Sequence, residues 1–423
     1  MATKVNSKAS LLISEDAIHN AQERIKDVVI ETPFLEHFNL SQKFDCNIFL
    51  KREDMQSVRS FKIRGAYNKI SQLSENEKAR GIICASAGNH AQGVALACNK
   101  LKIRGQIFMP NPTPEQKLKK VKLFGGEWIE IILEGDSYDD AQSAAIKESQ
   151  QNNSIFIHPF NDPDIIAGQG TIAAEILKQA KQPLDILLVA VGGGGLLSGV
   201  GSYMKQQSPQ TKLIAVEAKG APALTESLKK GERVKINDID TFVDGIAVKE
   251  LGDLTYQICS EIVDECITVS EGKICTTILE LYNEDAIVVE PAGAISIAAL
   301  DQIKDEIKGK NVGIIICGGN NDISRTQEIA ERSLLYEGKK HYFIVRFPQR
   351  AGALREFLNI LGPNDDITHF EYMKKTNKLN GPAVVGIEFK NSEDYLPLIN
   401  KMKAAKINFQ HVNYNRSLFE LLV

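Results

Sequence analysis

The feature that most constrains the fold is a regular alternation, between residues 45 and 320, of short β-rich runs with longer amphipathic stretches. The predicted strands are Asn47–Lys51, Gly81–Ala85, Gln106–Met109, Trp128–Leu133, Ser154–His158, Asp185–Val191, Lys212–Ala218, Cys266–Val269 and Val312–Cys317. Helical stretches lie between them, including Phe61–Leu73, Ala91–Leu101, Ser137–Gln150 and Thr171–Ala180. Strands and helices in alternation form βαβ units, so this order predicts an α/β fold with a mostly parallel sheet covered by helices on both faces.

Capping residues predict where two of these helices begin. Ser60 precedes one helix as a candidate N-cap, and Thr113-Pro114-Glu115-Gln116 matches a capping box with proline at the first helical position. Gly125-Gly126 then predicts the end of the second helix.

The pattern changes after about Gly338. Strands are predicted over His341–Phe347, Ile367–Met373, Pro382–Phe389 and Asn408–Asn413, with helices over Gly352–Leu361 and Ser392–Lys403. This βαββαβ order is the ferredoxin-like arrangement. Because 423 residues are too many for one core, we expect a separate small domain here, joined by a helix over Asn321–Leu335.

Composition and charge exclude several classes of protein. Hydrophobic residues make up 43% and charged residues 25%, as in ordinary globular chains. The net charge of −4 gives no basic patch for nucleic acid. The longest uncharged run, Ile186–Met204, contains four consecutive glycines and is therefore not expected to span a membrane. The start lacks a secretory signal, and seven scattered cysteines without a CxxC motif indicate a reduced, cytoplasmic protein.

Lys62 is the first candidate for chemistry. It would lie in the first turn of a helix, where the dipole disfavours a cation, so a neutral amine or one held as an imine is favoured. The alternative is a solvated surface lysine, which is what most lysines are.

Two further segments follow predicted strands and leave backbone N–H groups uncovered at helix starts. Ser86, Ala87, Gly88, Asn89 and His90 form a turn suited to a carboxylate or a phosphate, with an ordinary turn as the alternative.

The second of these segments is Gly192, Gly193, Gly194 and Gly195, with Leu196 after them. Consecutive glycines let the backbone approach an anion. No frame here gives the G-x-G-x-x-G dinucleotide fingerprint, so a single phosphate group fits better than a pyrophosphate.

Cys317 ends the last predicted strand of this region and is followed by Gly318-Gly319-Asn320. By itself it indicates packing, because free cysteine is commonly buried.

Together these segments resemble the threonine/serine dehydratases of the fold-type II family of pyridoxal-5′-phosphate enzymes, which is similar to the tryptophan synthase β fold. The match covers residues 15 to 325, and the pairing of Ser60-Phe61-Lys62-x-Arg64-Gly65-Ala66 with Ser86-x-Gly88-Asn89-His90 is highly specific. The resemblance implies two open, mostly parallel α/β sheets. It implies a catalytic domain over 1–325 with a smaller subdomain at about 50–155, a linker over 326–338, and an ACT-like regulatory domain over 339–423.

The same resemblance implies a role for each site residue. Lys62 binds pyridoxal 5′-phosphate covalently and serves as the catalytic base. The other expected cofactor contacts are Phe61 at the ring, Asn89 at the 3-oxygen, Cys317 at the ring nitrogen, and Gly192, Gly193, Gly194, Gly195 and Leu196 at the phosphate. The expected substrate contacts are Ser86, Ala87, Gly88, Asn89 and His90, which would hold the carboxylate. Asp244–Val248 and Glu290–Ala294 resemble two more segments near the substrate.

The implied activity is β-elimination of L-threonine to give 2-oxobutanoate and ammonia, which is a carbon–nitrogen lyase reaction. Related racemases carry a second serine where this chain has Ala87, so racemisation is not expected. By the same resemblance, the divalent-metal site of some relatives would lie just after Glu217. Gly220–Ala223 supplies no second carboxylate there, so no metal is expected.

The tail resembles the regulatory domain of biosynthetic threonine dehydratases, through Phe347–Leu354 and the βαββαβ order. It implies a place in isoleucine biosynthesis, inhibition by isoleucine, an opposing effect of valine, and a homotetramer. Three alternatives stay open: a serine-preferring dehydratase, a nicotinamide-dependent dehydrogenase, and a non-catalytic amino-acid sensor.

Overall fold

The computed structural model describes residues 11–372 and 379–422, which fall into two units, 1–322 and 323–423. The strands of the first unit are β1 (Phe34–Glu36), β2 (Asn47–Arg52), β3 (Ile82–Ala85), β4 (Gly105–Met109), β5 (Ile129–Leu133), β6 (Ile155–Phe156), β7 (Ile186–Ala190), β8 (Lys212–Ala218), β9 (Glu265–Val269) and β10 (Asn311–Ile316). All nine strands predicted before residue 320 are present, with ends that differ by at most two residues.

The strands of this unit form two sheets. The larger has the order β1-β2-β10-β7-β8-β9, and the smaller has the order β5-β4-β3-β6. Every pairing is parallel except that of β1 with β2, which is antiparallel. The expected pair of open, mostly parallel sheets is therefore confirmed, and β1 is an addition that the sequence pattern did not predict.

Helices separate the strands and cover the sheets. They are α1 (Glu15–Ile25), α2 (Phe38–Phe44), α3 (Lys62–Ser71), α4 (Glu75–Arg80), α5 (Asn89–Leu101), α6 (Glu115–Gly125), α7 (Tyr138–Asn152), α8 (Pro163–Gln179), α9 (Gly195–Gln207), α10 (Ala223–Lys230), α11 (Asp253–Ile262), α12 (Glu271–Asp285) and α13 (Pro291–Ala298).

Three details of these helices differ from the prediction. Ser60 does not cap α3: Phe61 holds that position, and the backbone of Ser60 pairs with Gly318. Thr113 does not form a capping box either, since its hydroxyl donates to Pro110 O at 2.7 Å. Helix α8 begins eight residues earlier than predicted, at Pro163, because the Asp162 carboxylate accepts from two backbone amides of its first turn.

Helices α3 and α8 touch through their backbones. A Cβ on Gly168 would lie 2.6 Å from the Cα of Gly65, closer than any side chain permits. Glycine at this crossing therefore brings α3, which starts at Lys62, into direct main-chain contact with α8.

A buried ionic network joins the same two helices to β2. The Arg64 guanidinium is fully buried and donates to both carboxylate oxygens of Glu53, at 2.8 Å each. It also donates to both oxygens of Glu175, at 2.6 and 2.8 Å, and Lys51 donates to Glu175 at 2.6 Å. Two buried carboxylates are thereby matched by two buried cations, so removing any one of the four side chains would leave a buried charge uncompensated.

The second unit contains α14 (Thr326–Tyr336), β11 (Lys340–Pro348), α15 (Ala353–Leu358), β12 (Asp365–Tyr372), β13 (Asn380–Phe389), α16 (Tyr395–Ala404), β14 (Asn408–His411) and α17 (Arg416–Leu422). Its antiparallel sheet has the order β12-β13-β11-β14. The predicted βαββαβ order is present, although Met373, at the end of one predicted strand, lies outside the described residues.

The core of this unit lies between the sheet and its helices. Phe343 and Val385 from the sheet pack with Phe357 of α15 and Met402 of α16, all almost fully buried. Among the helices of residues 11–372 and 379–422, none has the length and hydropathy needed to cross a bilayer.

Candidate active site

A cavity of about 710 Å³ opens in the first unit, near the carboxyl ends of β3, β6 and β7. Its lining includes Lys62, residues 86–90, residues 158–161, Gly193 and Glu290. The carboxyl ends of parallel strands are where open α/β sheets bind ligands.

Lys62 is the first residue of α3, and its amine faces this cavity. The Nζ atom donates to the carbonyl of Pro159 at 2.9 Å. Burial lowers the pKa of the Lys62 amine to about 8, although Cys317 and Glu290 act in the opposite direction. The amine is therefore far easier to deprotonate than an exposed lysine.

The turn after β3 presents the start of α5 to the same cavity. Ser86 Oγ accepts from the amide of Gly88 at 3.1 Å, and no side chain caps the helix that begins at Asn89. The His90 ring lies at 3.0 Å from Ile157 O, and burial lowers its pKa to about 3, so the ring stays neutral. This turn offers backbone N–H groups and one hydroxyl, which suits an anionic group.

The glycine turn after β7 has no room for side chains. A Cβ on Gly193 would overlap the Phe160 ring, and Gly194 has φ +86°, a conformation that favours glycine. Helix α9 starts at Gly195 without a side-chain cap, and Leu196 is buried behind it. The bare amides of this thirteen-residue helix form a fitting site for a phosphate.

Cys317 lies directly after β10. Its Sγ donates to Ala292 O at 3.1 Å, and burial raises the pKa of the thiol, so it remains protonated. The carbonyl of Cys317 accepts from Phe61 N at 3.2 Å, which ties it to the residue before Lys62. The Phe61 ring centroid lies 5.3 Å from Lys62 Nζ.

Asn89 is held at both ends of its side chain. Its Nδ2 donates to Glu290 Oε1 at 2.6 Å, and its Oδ1 accepts from Asn320 Nδ2 at 2.8 Å. One hydrogen of Nδ2 remains without an acceptor among the residues the structure describes.

The structure therefore brings Lys62, the 86–90 turn and Gly193 to one cavity. The other predicted cofactor contacts are not among the residues that line it, namely Phe61, Gly192, Gly194, Gly195, Leu196 and Cys317. Sequence reasoning missed the segment 158–160. His158 Nδ1 accepts from the amides of Phe160 and Asn161 at 3.2 and 2.8 Å, which shapes the turn that supplies Pro159 O. The sequence could have indicated this segment, because it follows the predicted strand Ser154–His158 and therefore lies at the same edge of the sheet as the other candidate residues.

Glu217 is engaged elsewhere. Its carboxylate accepts from the amides of Leu224 and Thr225 at 2.7 and 2.8 Å. The described residues contain no group of three or more His, Cys, Asp or Glu side chains that could hold a metal.

These features define a lysine-centred site of a cofactor-dependent α/β enzyme. A family model described as pyridoxal-phosphate dependent enzyme matches residues 25–318, and one described as the C-terminal regulatory domain of threonine dehydratase matches residues 331–422. The chain belongs to the pyridoxal-phosphate dependent enzyme family, and this removes the reason for considering a nicotinamide-dependent dehydrogenase.

Proteins similar to this chain include a threonine dehydratase, a threonine deaminase and a serine racemase. The chain is 56% identical, over 98% of its length and 99% of the other, to the biosynthetic L-threonine dehydratase of Bacillus subtilis. Threonine deaminase isoform 2 from Solanum lycopersicum, in its processed form, has a TM-score of 0.71 and 40% identity, covering 76% of this chain and 94% of that one. Maize serine racemase has a TM-score of 0.70 and 32% identity, covering 76% and 98%.

The residues present fit pyridoxal phosphate. The cofactor needs a lysine amine that can become neutral, and Lys62 supplies one within the cavity. It needs an anion site for one phosphate group, and the glycine turn at the start of α9 has bare amides.

Proposed function

We propose that the protein converts L-threonine to 2-oxobutanoate and ammonia by β-elimination, as the first step of isoleucine biosynthesis. The observation that carries the proposal is the Lys62 amine, which faces the cavity beside the glycine turn with its pKa lowered to about 8. The name of the 56%-identical relative supports threonine as the substrate.

Several residues would hold the cofactor. Lys62 would bind it covalently, Phe61 would pack by its ring, Asn89 would donate to its ring oxygen, and the 192–196 turn would bind its phosphate. Pyridoxal phosphate supplies an electron sink for negative charge that develops at the substrate α-carbon.

Once the substrate amine has replaced it on the cofactor, the released Lys62 amine would take the α-proton of the substrate. With a pKa of about 8, roughly a tenth of the free amine is neutral at pH 7, which is several hundred times the fraction for an ordinary lysine. Its hydrogen bond to Pro159 O fixes the position of the amine.

The 86–90 turn would orient the substrate by its carboxylate. The Ser86 hydroxyl and the amides at the start of α5 are donors, and the neutral His90 ring adds no competing charge. Cys317 would face the ring nitrogen as a neutral thiol, which stabilises a protonated ring nitrogen less than a carboxylate would. This favours prompt elimination over transamination.

The test is 2-oxobutanoate formation from threonine by the purified full chain. Lys62→Ala should abolish both turnover and visible cofactor absorbance, whereas the exposed Lys178→Ala should retain both. Retained activity in the Lys62 variant would refute the proposal. A higher kcat/KM for serine than for threonine would replace the threonine assignment by a serine-preferring dehydratase.

For the second unit we propose regulation. In this proposal residues 1–325 are catalytic, 326–338 form the linker, and 339–423 form an ACT-like domain that binds isoleucine as inhibitor and valine as its opponent. The match of residues 331–422 to a regulatory-domain family supports this division. If millimolar isoleucine leaves threonine turnover unchanged, the regulatory proposal is wrong.

We also propose a homotetramer in the cytoplasm. The location is supported by the seven cysteines, all of them free and six of them buried. Light scattering would measure the oligomeric state directly.

A further inference from the structure

The carboxyl group of Glu290 is buried in the cavity wall with no ion-pair partner among the described residues. The residue is only 4% exposed. It precedes α13, yet its side chain does not cap that helix. Burying a carboxyl group without a direct ion-pair partner is costly, which points to a role for it in the site.

The surrounding backbone is shaped to admit this carboxyl group. A Cβ on Gly318 would overlap Glu290 Oε1, and one on Gly245 would lie 3.6 Å from it. The backbone of Asn320 acts to lower the pKa of this carboxyl group.

The contact that matters is with Asn89. Glu290 Oε1 accepts from Asn89 Nδ2 at 2.6 Å, while Asn320 Nδ2 donates to Asn89 Oδ1 at 2.8 Å. Asn320 is in turn fixed by Val58 O at 2.8 Å and by Lys120 Nζ at 3.2 Å. The amide of Asn89 can therefore adopt only one orientation, in which one hydrogen of Nδ2 is left for a bound molecule.

We infer, resting on the function proposed above, that Glu290 is a positioning residue that acts through Asn89. It fixes the hydrogen bond that Asn89 offers to the ring of pyridoxal phosphate. An ionised Glu290 holds the Asn89 amide more strongly than a neutral one, because charge-assisted hydrogen bonds are the stronger class.

The charge on Glu290 can change near neutral pH. Burial raises its pKa to about 7, and Asp244 acts in the same direction, while the Asn89 hydrogen bond and Lys117 oppose them. The titratable groups that face it are Lys62 of α3, Lys117 and Lys120 of α6, Asp244, and Cys317 after β10.

The experiment compares the full-length holoenzyme with Glu290→Gln and Glu290→Ala, by visible absorbance from pH 5.5 to 9 and by the Kd for pyridoxal phosphate. The wild type should show a spectral transition centred near pH 7. Glu290→Gln, which keeps an acceptor for Asn89 but cannot ionise, should lose this transition and bind the cofactor within about threefold of wild type. Glu290→Ala should weaken binding about tenfold or more.

Two further variants separate positioning from general stability. Asp244→Asn removes a charge that raises the pKa of Glu290, so the transition should move to lower pH. In an Asn89→Ala background, Glu290→Ala should have almost no additional effect on the Kd, because Glu290 acts on the cofactor only through the Asn89 side chain.

The inference is overturned if Glu290→Gln keeps the spectral transition, or if the effects of Glu290→Ala and Asn89→Ala on the Kd are additive. If the wild type binds no pyridoxal phosphate, the proposed function falls as well. A wild type that binds the cofactor and turns over threonine, with Glu290 variants that behave identically, removes this inference alone.

Discussion

Replacing Arg64 by methionine should destabilise the first unit strongly. Arg64 is fully buried and makes four hydrogen bonds to the carboxylates of Glu53 and Glu175. Methionine fills much of the same space, so the principal loss is the charge and the donors rather than the volume. Both carboxylates then remain buried, and the cation left beside them is Lys51, which donates to Glu175.

The expected cost follows from this arrangement. Removing one partner of a buried ion pair costs about 3–5 kcal/mol, because the remaining charge stays buried without compensation. With a urea m-value of about 3 kcal/mol/M, the unfolding midpoint should fall by about 1–1.7 M. The matched control is Lys178→Met, on the same helix as Glu175. The exposed ion pair of Lys178 with Glu31 contributes less than about 1 kcal/mol to stability.

The assay can report on the first unit alone. The chain has one tryptophan, Trp128, which lies in that unit, so its fluorescence in urea follows the unfolding of residues 1–322. If Arg64→Met does not fold, Glu175→Gln offers a milder loss in the same network.

The pH dependence distinguishes lost charge from lost packing. Burial acts to raise the pKa of Glu53, but the charge and hydrogen bonds of Arg64 lower it below its ordinary value. Without Arg64 the pKa of Glu53 should rise above its value in the unfolded chain. The folded variant then takes up a proton at a pH where the unfolded chain does not, so its free energy of unfolding increases as pH falls from 8 towards 5. The deficit of the variant should therefore shrink at lower pH. A deficit below 1 kcal/mol, or one that is the same at pH 8 and pH 6, would show that the charge of Arg64 does not stabilise the first unit.

Three other outcomes are expected. Gly193→Ala should raise the Kd for pyridoxal phosphate about tenfold because its Cβ overlaps the Phe160 ring, and Phe160→Leu should restore part of the affinity. Burial and the charge of His341 lower the pKa of His411 to about 4, so the unfolded chain binds an extra proton between about pH 6.5 and 4. The second unit should therefore lose stability as pH falls through this range. His411→Gln should weaken this pH dependence, as measured by hydrogen exchange of the β11 amides. Asp162→Ala should destabilise the first unit by about 1 kcal/mol through loss of the α8 cap, as measured by Trp128 fluorescence in urea.

Regular patterns in the sequence predicted the sheets well. Buried parallel strands such as β7 and β8 are apolar runs with glycine or charged residues at their ends, so their positions were visible. Strand β1 was not, because three residues are too few to show a period and its antiparallel pairing with β2 is a tertiary contact.

Local signals failed where another contact competed for the same residue. Ser60 has the side chain of a cap, but its backbone pairs with Gly318, far away in the chain. The early turns of α8 contain Gly168 and Gly170, which resemble helix breakers in sequence yet serve a close helix contact in three dimensions.

The candidate site shows the same division. Lys62, the 86–90 turn and the glycine turn each follow or precede a strand in a recognisable segment, so their grouping was predictable. The contact of Asn89 with Glu290 joins residues 201 positions apart and depends on the space left by Gly318. No local pattern contains that information.

The bare contact between Gly65 and Gly168 has a consequence for how the cavity can vary. At most helix crossings, side chains separate the two backbones and can adjust to small changes, but here the backbones of α3 and α8 are in direct contact. One methyl group added at this contact would push α3 away from α8, and the Lys62 amine, one turn before Gly65, would move with the helix. The position of that nitrogen relative to the glycine turn after β7 is therefore set by backbone contact between α3 and α8, and we expect substitutions that reshape the cavity without moving Lys62 to lie in the loops that line it.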